Sequence, residues 1–114
     1  MTLIYGIKNC DTMKKALRWL GDHQVSHQFH DYRKDGLDAD LLTQWINELG
    51  WEGLVNKRGT TWRKLDAVLQ DSMNKNALEI LLANPAMIKR PLLVHENKIT
   101  LGFKPELYQD LFSK

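Results

Sequence analysis

The single cysteine of the chain, Cys10, stands in the stretch GIKNCDTMKKA, just after a short apolar run and at the start of a helical pattern. A thiol at a helix N-terminus faces unpaired backbone N–H groups and the positive end of the helix dipole. Both favour the thiolate, which is the nucleophilic form. Lys8, two residues upstream, acts in the same direction and Asp11 opposes it, so a lowered but not extreme pKa is expected. A second cysteine three residues on would complete a dithiol redox pair, but that position is Met13. One thiol also excludes an intramolecular disulfide and any site built from several cysteines. The competing reading of Cys10 is a small buried filler, as many free cysteines are.

The basic residues come next. Lys57 and Arg58 flank a glycine-containing loop, and Arg63 and Lys64 follow. Taken alone these read as a solvated basic surface. Arg90 is different, because it directly precedes Pro91 at the entrance to a strand pattern, where the backbone is constrained and the side chain's direction is set. A guanidinium fork there suits oxyanions and carboxylates. The four histidines have no metal-ligand spacing, and His23, His27 and His30 read as strand or loop surface. Trp19, Trp45, Trp51 and Trp62 read as packing residues. Aromatic and basic residues are not interleaved as nucleic-acid stacking requires.

The elements that must position these residues follow from periodicity. TLIYG, residues 2–6, reads as a buried strand. Met13, Ala16, Leu17 and Leu20 form one helical face, with Asn9 or Cys10 at its N-cap and Gly21 as its stop. VSHQFHDY, residues 25–32, alternates as a second strand. Asp38 is the expected cap of a helix whose apolar face is Leu41, Leu42, Trp45, Ile46 and Leu49, closed by Gly50. A short helical turn, a basic loop and a short helix near 61–66 follow, then a helix over 74–83 ended by Asn84 and Pro85. Leu92–His95 and Lys98–Leu101 form a hairpin around Glu96-Asn97. Pro105 starts a last helix with Leu107, Tyr108, Leu111 and Phe112 available for packing. The order β-α-β, helices, β-hairpin, helix is that of an α/β, thioredoxin-like four-stranded mixed sheet with a helical insertion. The first two strands, joined through a helix, should be parallel. A loop at the carboxyl end of a parallel strand is where α/β sites lie, which favours a functional Cys10.

At 114 residues with 43% apolar and 26% charged composition, a single folded domain over 1–114 is expected. A net charge of +2 does not call for nucleic acid or a membrane surface as partner. No apolar run approaches the ~20 residues that span a bilayer, and no signal-peptide pattern opens the chain. A cytoplasmic protein with a reduced thiol is the simplest expectation.

Three segments, YGIKNCDTMKKA, LVNKRGTTWRKL and MIKRPLLV, in this order and spacing, resemble the arsenate reductase (ArsC) family, most closely its small bacterial YffB-type members. The resemblance covers essentially the whole chain. It implies the thioredoxin-like fold with its helical insertion, Cys10 as nucleophile in the first strand–helix loop, and Arg90 with a cis Pro91 facing it. Family members that reduce arsenate with glutathione and glutaredoxin use one cysteine and three arginines. Carried over by position, Cys10 and Arg90 match. The first arginine falls on Asn56, with Arg58 two residues later, and the last falls on Lys104, which keeps the charge but loses the bidentate fork. The resemblance thus implies a glutathione-dependent monothiol reductase with no bound cofactor or metal. Glutathione or another small thiol is its co-substrate, glutaredoxin a candidate partner, and a monomer its expected state. Lys8, Asn9, Arg58 and Lys104 are the further candidates for binding an anionic substrate. Two alternatives are an arsenate reductase proper and a non-catalytic binding module of the related Spx type, which contacts RNA polymerase. The Spx redox switch uses a Cys-x-x-Cys pair that Met13 interrupts.

Overall fold

The computed structural model describes residues 2–113. Residues up to Tyr32 and from Arg90 onward pack as one compact unit, and Arg33–Lys89 pack as a second.

In the first unit, strand β1 (Thr2–Gly6) leads through helix α1 (Asp11–Asp22) to β2 (Gln28–Asp31), which pairs parallel to β1. Strands β3 (Leu92–His95) and β4 (Lys98–Leu101) form the hairpin, and β3 pairs antiparallel to β1. The sheet order is β2-β1-β3-β4, and the four-stranded mixed sheet is the expected thioredoxin-like one. Helix α6 (Pro105–Phe112) closes the unit, numbered after the four helices of the second unit. Its core is Ile4, Met13, Ala16, Leu20, Leu93 and Tyr108, all removed from solvent. Each large aliphatic side chain buried this way stabilises the fold by roughly 1.5–3 kcal/mol before entropy is counted. The buried apolar strand TLIYG supplies Ile4, and the i, i+3, i+7 spacing supplies Met13, Ala16 and Leu20 to this core.

Glu96 and Asn97 both take the left-handed conformation, φ 51° and 65°. That is the signature of the two-residue turn whose twist matches the flanking strands.

Several boundaries differ from the sequence expectation. The second strand begins at Gln28, not Val25. The preceding residues are still closing α1: the Val25 N–H donates to the Leu20 carbonyl at 2.9 Å, and Gln24 takes φ 58°. The left-handed residue after the helix is therefore Gln24, and Gly21 lies inside the last turn. Leu107 is exposed on α6, so Tyr108, Leu111 and Phe112 supply the packing face.

The second unit contains α2 (Ala39–Leu54), α3 (Thr60–Arg63), α4 (Ala67–Asp71), α5 (Met73–Ala83) and a 3-10 turn at Pro85–Met87. Helix α2 packs against α5, and Leu42, Trp45, Leu54, Met73, Ile80 and Leu81 are buried. Gly50 does not end α2. With φ 75° and ψ 151° it breaks the helix once, and the chain resumes helical form over residues 51–54. Asp38 is the N-cap residue of α2 by conformation, although its side chain makes no capping bond. Helix α4 has no counterpart in the expected pattern. Val68 and Leu69 are exposed, so no apolar stripe announces it, and its start is fixed by Asp66, which accepts the Val68 N–H at 2.8 Å.

Candidate active site

The site is assembled where β1 ends. After Gly6 the chain makes an exposed bend at Lys8 and Asn9, and Cys10 becomes the N-cap residue of α1 with extended backbone, φ −131° and ψ 127°. Its carbonyl accepts the first helical bond, from the Lys14 N–H at 2.9 Å. The sulfur is half-buried and packs against the core cluster.

Partial desolvation pushes the Cys10 pKa up, yet the net direction is down. The Met13 N–H, the hydrogen bond from Arg90, the Arg90 charge and the Thr12 N–H together outweigh the burial. Thr12 and Met13 are the second and third residues of α1, where backbone donors lack helical partners. Their contacts with the sulfur fall short of a full capping hydrogen bond and act on its charged form. The uncapped helix start thus favours the charged form of this sulfur over the neutral thiol.

Arg90 reaches the sulfur from the entrance to β3, the strand paired with β1. It is half-buried in a bend immediately before β3, and the Arg90–Pro91 peptide bond is cis, as expected. Because β1 pairs with β3 through Tyr5 and Leu92, the start of β3 lies beside the end of β1. Sheet register therefore places Arg90 at the Cys10 end of the sheet.

Gly6 is required by this geometry. A Cβ there would stand 2.5 Å from Sδ of Met13, a fully buried residue of the first turn of α1. Glycine lets the helix start close to the strand, and so lets the sulfur sit over the N–H groups of Thr12 and Met13.

The remaining predicted site residues are placed as follows. Lys8 and Asn9 adjoin Cys10 in sequence and are exposed. Lys104 is the exposed N-cap residue of α6. Arg58 belongs to the helical unit, where it is exposed in the turn before α3 and its backbone N–H donates to Asn56 Oδ1 at 3.2 Å. In that same turn Lys57 lies 5.0 Å from the Trp51 ring centroid and pairs with Glu52 at 3.5 Å. The structure thus joins Cys10 and Arg90 directly, with Thr12 and Met13 supplying backbone donors.

One residue near the site was not singled out in the sequence. Tyr32 follows β2, and its N–H donates to the Gly6 carbonyl at 2.8 Å. Its ring stacks on Tyr5 at 6.4 Å between centroids. Burial drives its phenol pKa up and Tyr5 adds to this, while the Arg90 charge opposes them. The only signal in the sequence was its place at the end of the alternating VSHQFHDY run. Among the described residues, no group of three or more His, Cys, Asp and Glu side chains could hold a metal ion. No described helix is long and apolar enough to cross a membrane.

A single cysteine in the first strand–helix loop, an arginine before a cis proline and a thioredoxin-like sheet all occur in this one chain. The profile of the ArsC family matches residues 5–111. The chain belongs to the ArsC family. It is 52% identical over 114 residues to an uncharacterised protein of Haemophilus influenzae, covering 99% of this chain and all of that one. It also resembles the solved structure of a YffB protein, with 45% identity, a TM-score of 0.89, and 96% and 97% of the two chains covered. A solution structure of an arsenate reductase (ArsC) related protein from Brucella melitensis matches at 46% identity and a TM-score of 0.78, over 99% of this chain and 95% of that one.

Proposed function

We propose that this ArsC-family chain is a monothiol reductase that uses Cys10 as its nucleophile and glutathione as its reductant. The observation that carries this reading is the convergence of Arg90 and the start of α1 on one half-buried sulfur, which lowers its pKa against the effect of burial. A group built only for packing would gain nothing from such an arrangement.

The chemistry balances with one thiol. The Cys10 thiolate attacks the glutathione sulfur of a glutathionylated substrate, R–S–S–G. The substrate thiolate leaves, takes up a proton, and Cys10 carries the glutathione as a mixed disulfide. A second glutathione, as thiolate, attacks that glutathionyl sulfur, releasing oxidised glutathione and the Cys10 thiolate. External thiol must resolve the intermediate, because the chain has no second cysteine. Arg90 offers a fork for a glutathione carboxylate, and Lys8 and Asn9 line the approach along the loop. Lys104, in the same unit as Cys10, is a weaker rim candidate for the same anionic groups.

Arsenate is the substrate class suggested by relatives named for arsenate reductase. Asn56 and Lys104 stand where the resemblance places two further oxyanion-binding arginines, which favours a thiol substrate over arsenate. The test is intact-mass analysis after exposure to oxidised glutathione, alongside turnover of a glutathionylated peptide and of arsenate with glutathione and glutaredoxin. One glutathionyl mass on the wild type, none on Cys10→Ser, and turnover of the peptide are expected. Absence of any adduct on the wild type refutes the reading, and turnover of arsenate alone replaces it with the arsenate reductase reading.

A further inference from the structure

A second feature of the first unit is independent of what Cys10 reduces. Between α1 and the start of α6 lies an open cleft of about 260 Å³, lined by Lys15, Arg18, Trp19, Asp22, Phe103 and Pro105. Its apolar wall is built, not incidental. Phe103 meets Tyr108 edge-on at 4.7 Å and Trp19 meets it edge-on at 5.6 Å, so both rings rest on a fully buried residue of the core. Trp19 is held further by a stacked His23 at 3.8 Å. Both aromatic rings remain only half-buried. The rim is cationic on the α1 side, where Lys15 and Arg18 are exposed, with Asp22 as the opposing acid. A third positive contribution comes from α6, which begins at the cleft with Pro105. Its N-cap residue, Lys104, has no acceptor side chain, makes no capping bond, and adds its own cation to this end of the helix. Glu106 in the first turn of α6 is a second acid on that side. An aromatic wall bordered by cations and an uncapped helix start is complementary to carboxylates placed next to an apolar side chain.

We propose that this cleft docks an acidic segment of a partner protein. An apolar side chain of that segment packs on Trp19, Phe103 and Pro105, and its flanking carboxylates meet Lys15, Arg18 and the start of α6. Lys15 lies only about one turn into α1, roughly 6 Å along the axis from its start, so a partner held here borders the Cys10 loop.

The probe is a blocked peptide, Asp-Glu-Phe-Glu-Asp-Leu, titrated into the intact protein and followed by backbone and indole amide NMR shifts. Controls are the same peptide with Phe replaced by Ser and one with Lys in place of every acid. The expected result is saturable binding with Kd below about 1 mM, with shifts centred on Trp19, Phe103 and the first turn of α6. Raising salt weakens it, and the double variant Lys15→Glu, Arg18→Glu lowers affinity by about tenfold or more. Both substituted residues are exposed, and unchanged backbone amide shifts away from the substituted sites verify the fold of that variant. The proposal is overturned if the peptide does not bind, if shifts centre elsewhere, or if charge reversal leaves affinity unchanged. It is also overturned if the serine peptide binds as tightly as the phenylalanine one, because the aromatic wall then has no role. Failure here leaves the glutathione adduct at Cys10 untouched, and loss of that adduct leaves peptide binding untouched.

Discussion

Replacing Gly6 with alanine tests how the strand and the helix start are held together. The added Cβ would lie 2.5 Å from Sδ of Met13 and 3.1 Å from its Cγ and Cε. Ordinary contact needs about 3.5–4.0 Å, so something must move by roughly an ångström. A thioether could normally swing aside, but Met13 is completely buried among Ile4, Ala16, Leu20 and Leu93. Overpacking of this kind costs about 1–3 kcal/mol, and the closed surroundings place Gly6→Ala toward the upper end. The backbone at Gly6 has no left-handed angle, so alanine also restricts the unfolded chain and returns about 0.5 kcal/mol. A net loss of about 2 kcal/mol follows, or roughly 8 °C in melting temperature for a chain of this size. Urea unfolding measures it through the midpoint at constant slope. Met13→Ala opens the space, so Gly6→Ala should cost little in that background, and the double-mutant cycle should show a coupling of at least about 1 kcal/mol. The Cys10 titration midpoint should also rise in Gly6→Ala, because the Met13 N–H is displaced from the sulfur. A loss below about 0.5 kcal/mol, or the same loss with and without the Met13 thioether, refutes the packing account.

Arg90→Ala removes both the hydrogen bond and the charge that lower the Cys10 pKa, leaving desolvation less opposed, so the midpoint of pH-dependent iodoacetamide alkylation should rise; Arg90→Lys should restore part of the shift. A folded-state pKa below the unfolded one means the unfolded state binds the proton more readily. The thiol's contribution to stability is therefore present above the unfolded pKa and lost as pH falls through the folded one; Cys10→Ser should abolish that part of the pH dependence in urea titrations. The Tyr108 hydroxyl is buried with no hydrogen-bond partner among the described residues, and burial raises its pKa. Tyr108→Phe should therefore be neutral or stabilise by up to about 1 kcal/mol in thermal unfolding. Glu96→Asn should raise the melting temperature, gaining about 0.5–1 kcal/mol at φ 51° because asparagine tolerates the left-handed region. The lost His95–Glu96 pair, at 3.8 Å, is surface-exposed on the Glu96 side and worth little.

Local rules made much of the fold legible. The strand at Thr2–Gly6 and the hairpin bounds at Leu92–His95 and Lys98–Leu101 follow from β-formers bounded by turn residues. They were less informative where backbone hydrogen bonding decides the outcome. Val25 is apolar and alternates correctly, yet its N–H is taken by the end of α1 and the strand starts three residues later. Gly50 read as a terminator because glycine ends many helices, but a left-handed residue can also join two helical stretches. Helix α4 was illegible because its apolar residues face outward. At the site, Cys10 and Arg90 could be singled out because each combines a chemical type with a constrained backbone position. Their meeting, 80 positions apart, is a property of register: β1 pairs with β2 on one side and β3 on the other. Tyr32 gave no warning, since only the packed sheet end sets its ring on Tyr5 and its phenol in the field of Arg90.

The helical stretch from Arg33 to Lys89 leaves after β2 and returns before β3, both at the same end of the central strand. The exit and re-entry points flank one strand, so they stand only about 10 Å apart across the sheet. Closing such a gap depends weakly on how much chain lies between its ends. The entropy of joining these two points therefore changes little with the length of the excursion, and the register of β1 with β3, not the excursion, keeps the guanidinium at the sulfur's end of the sheet.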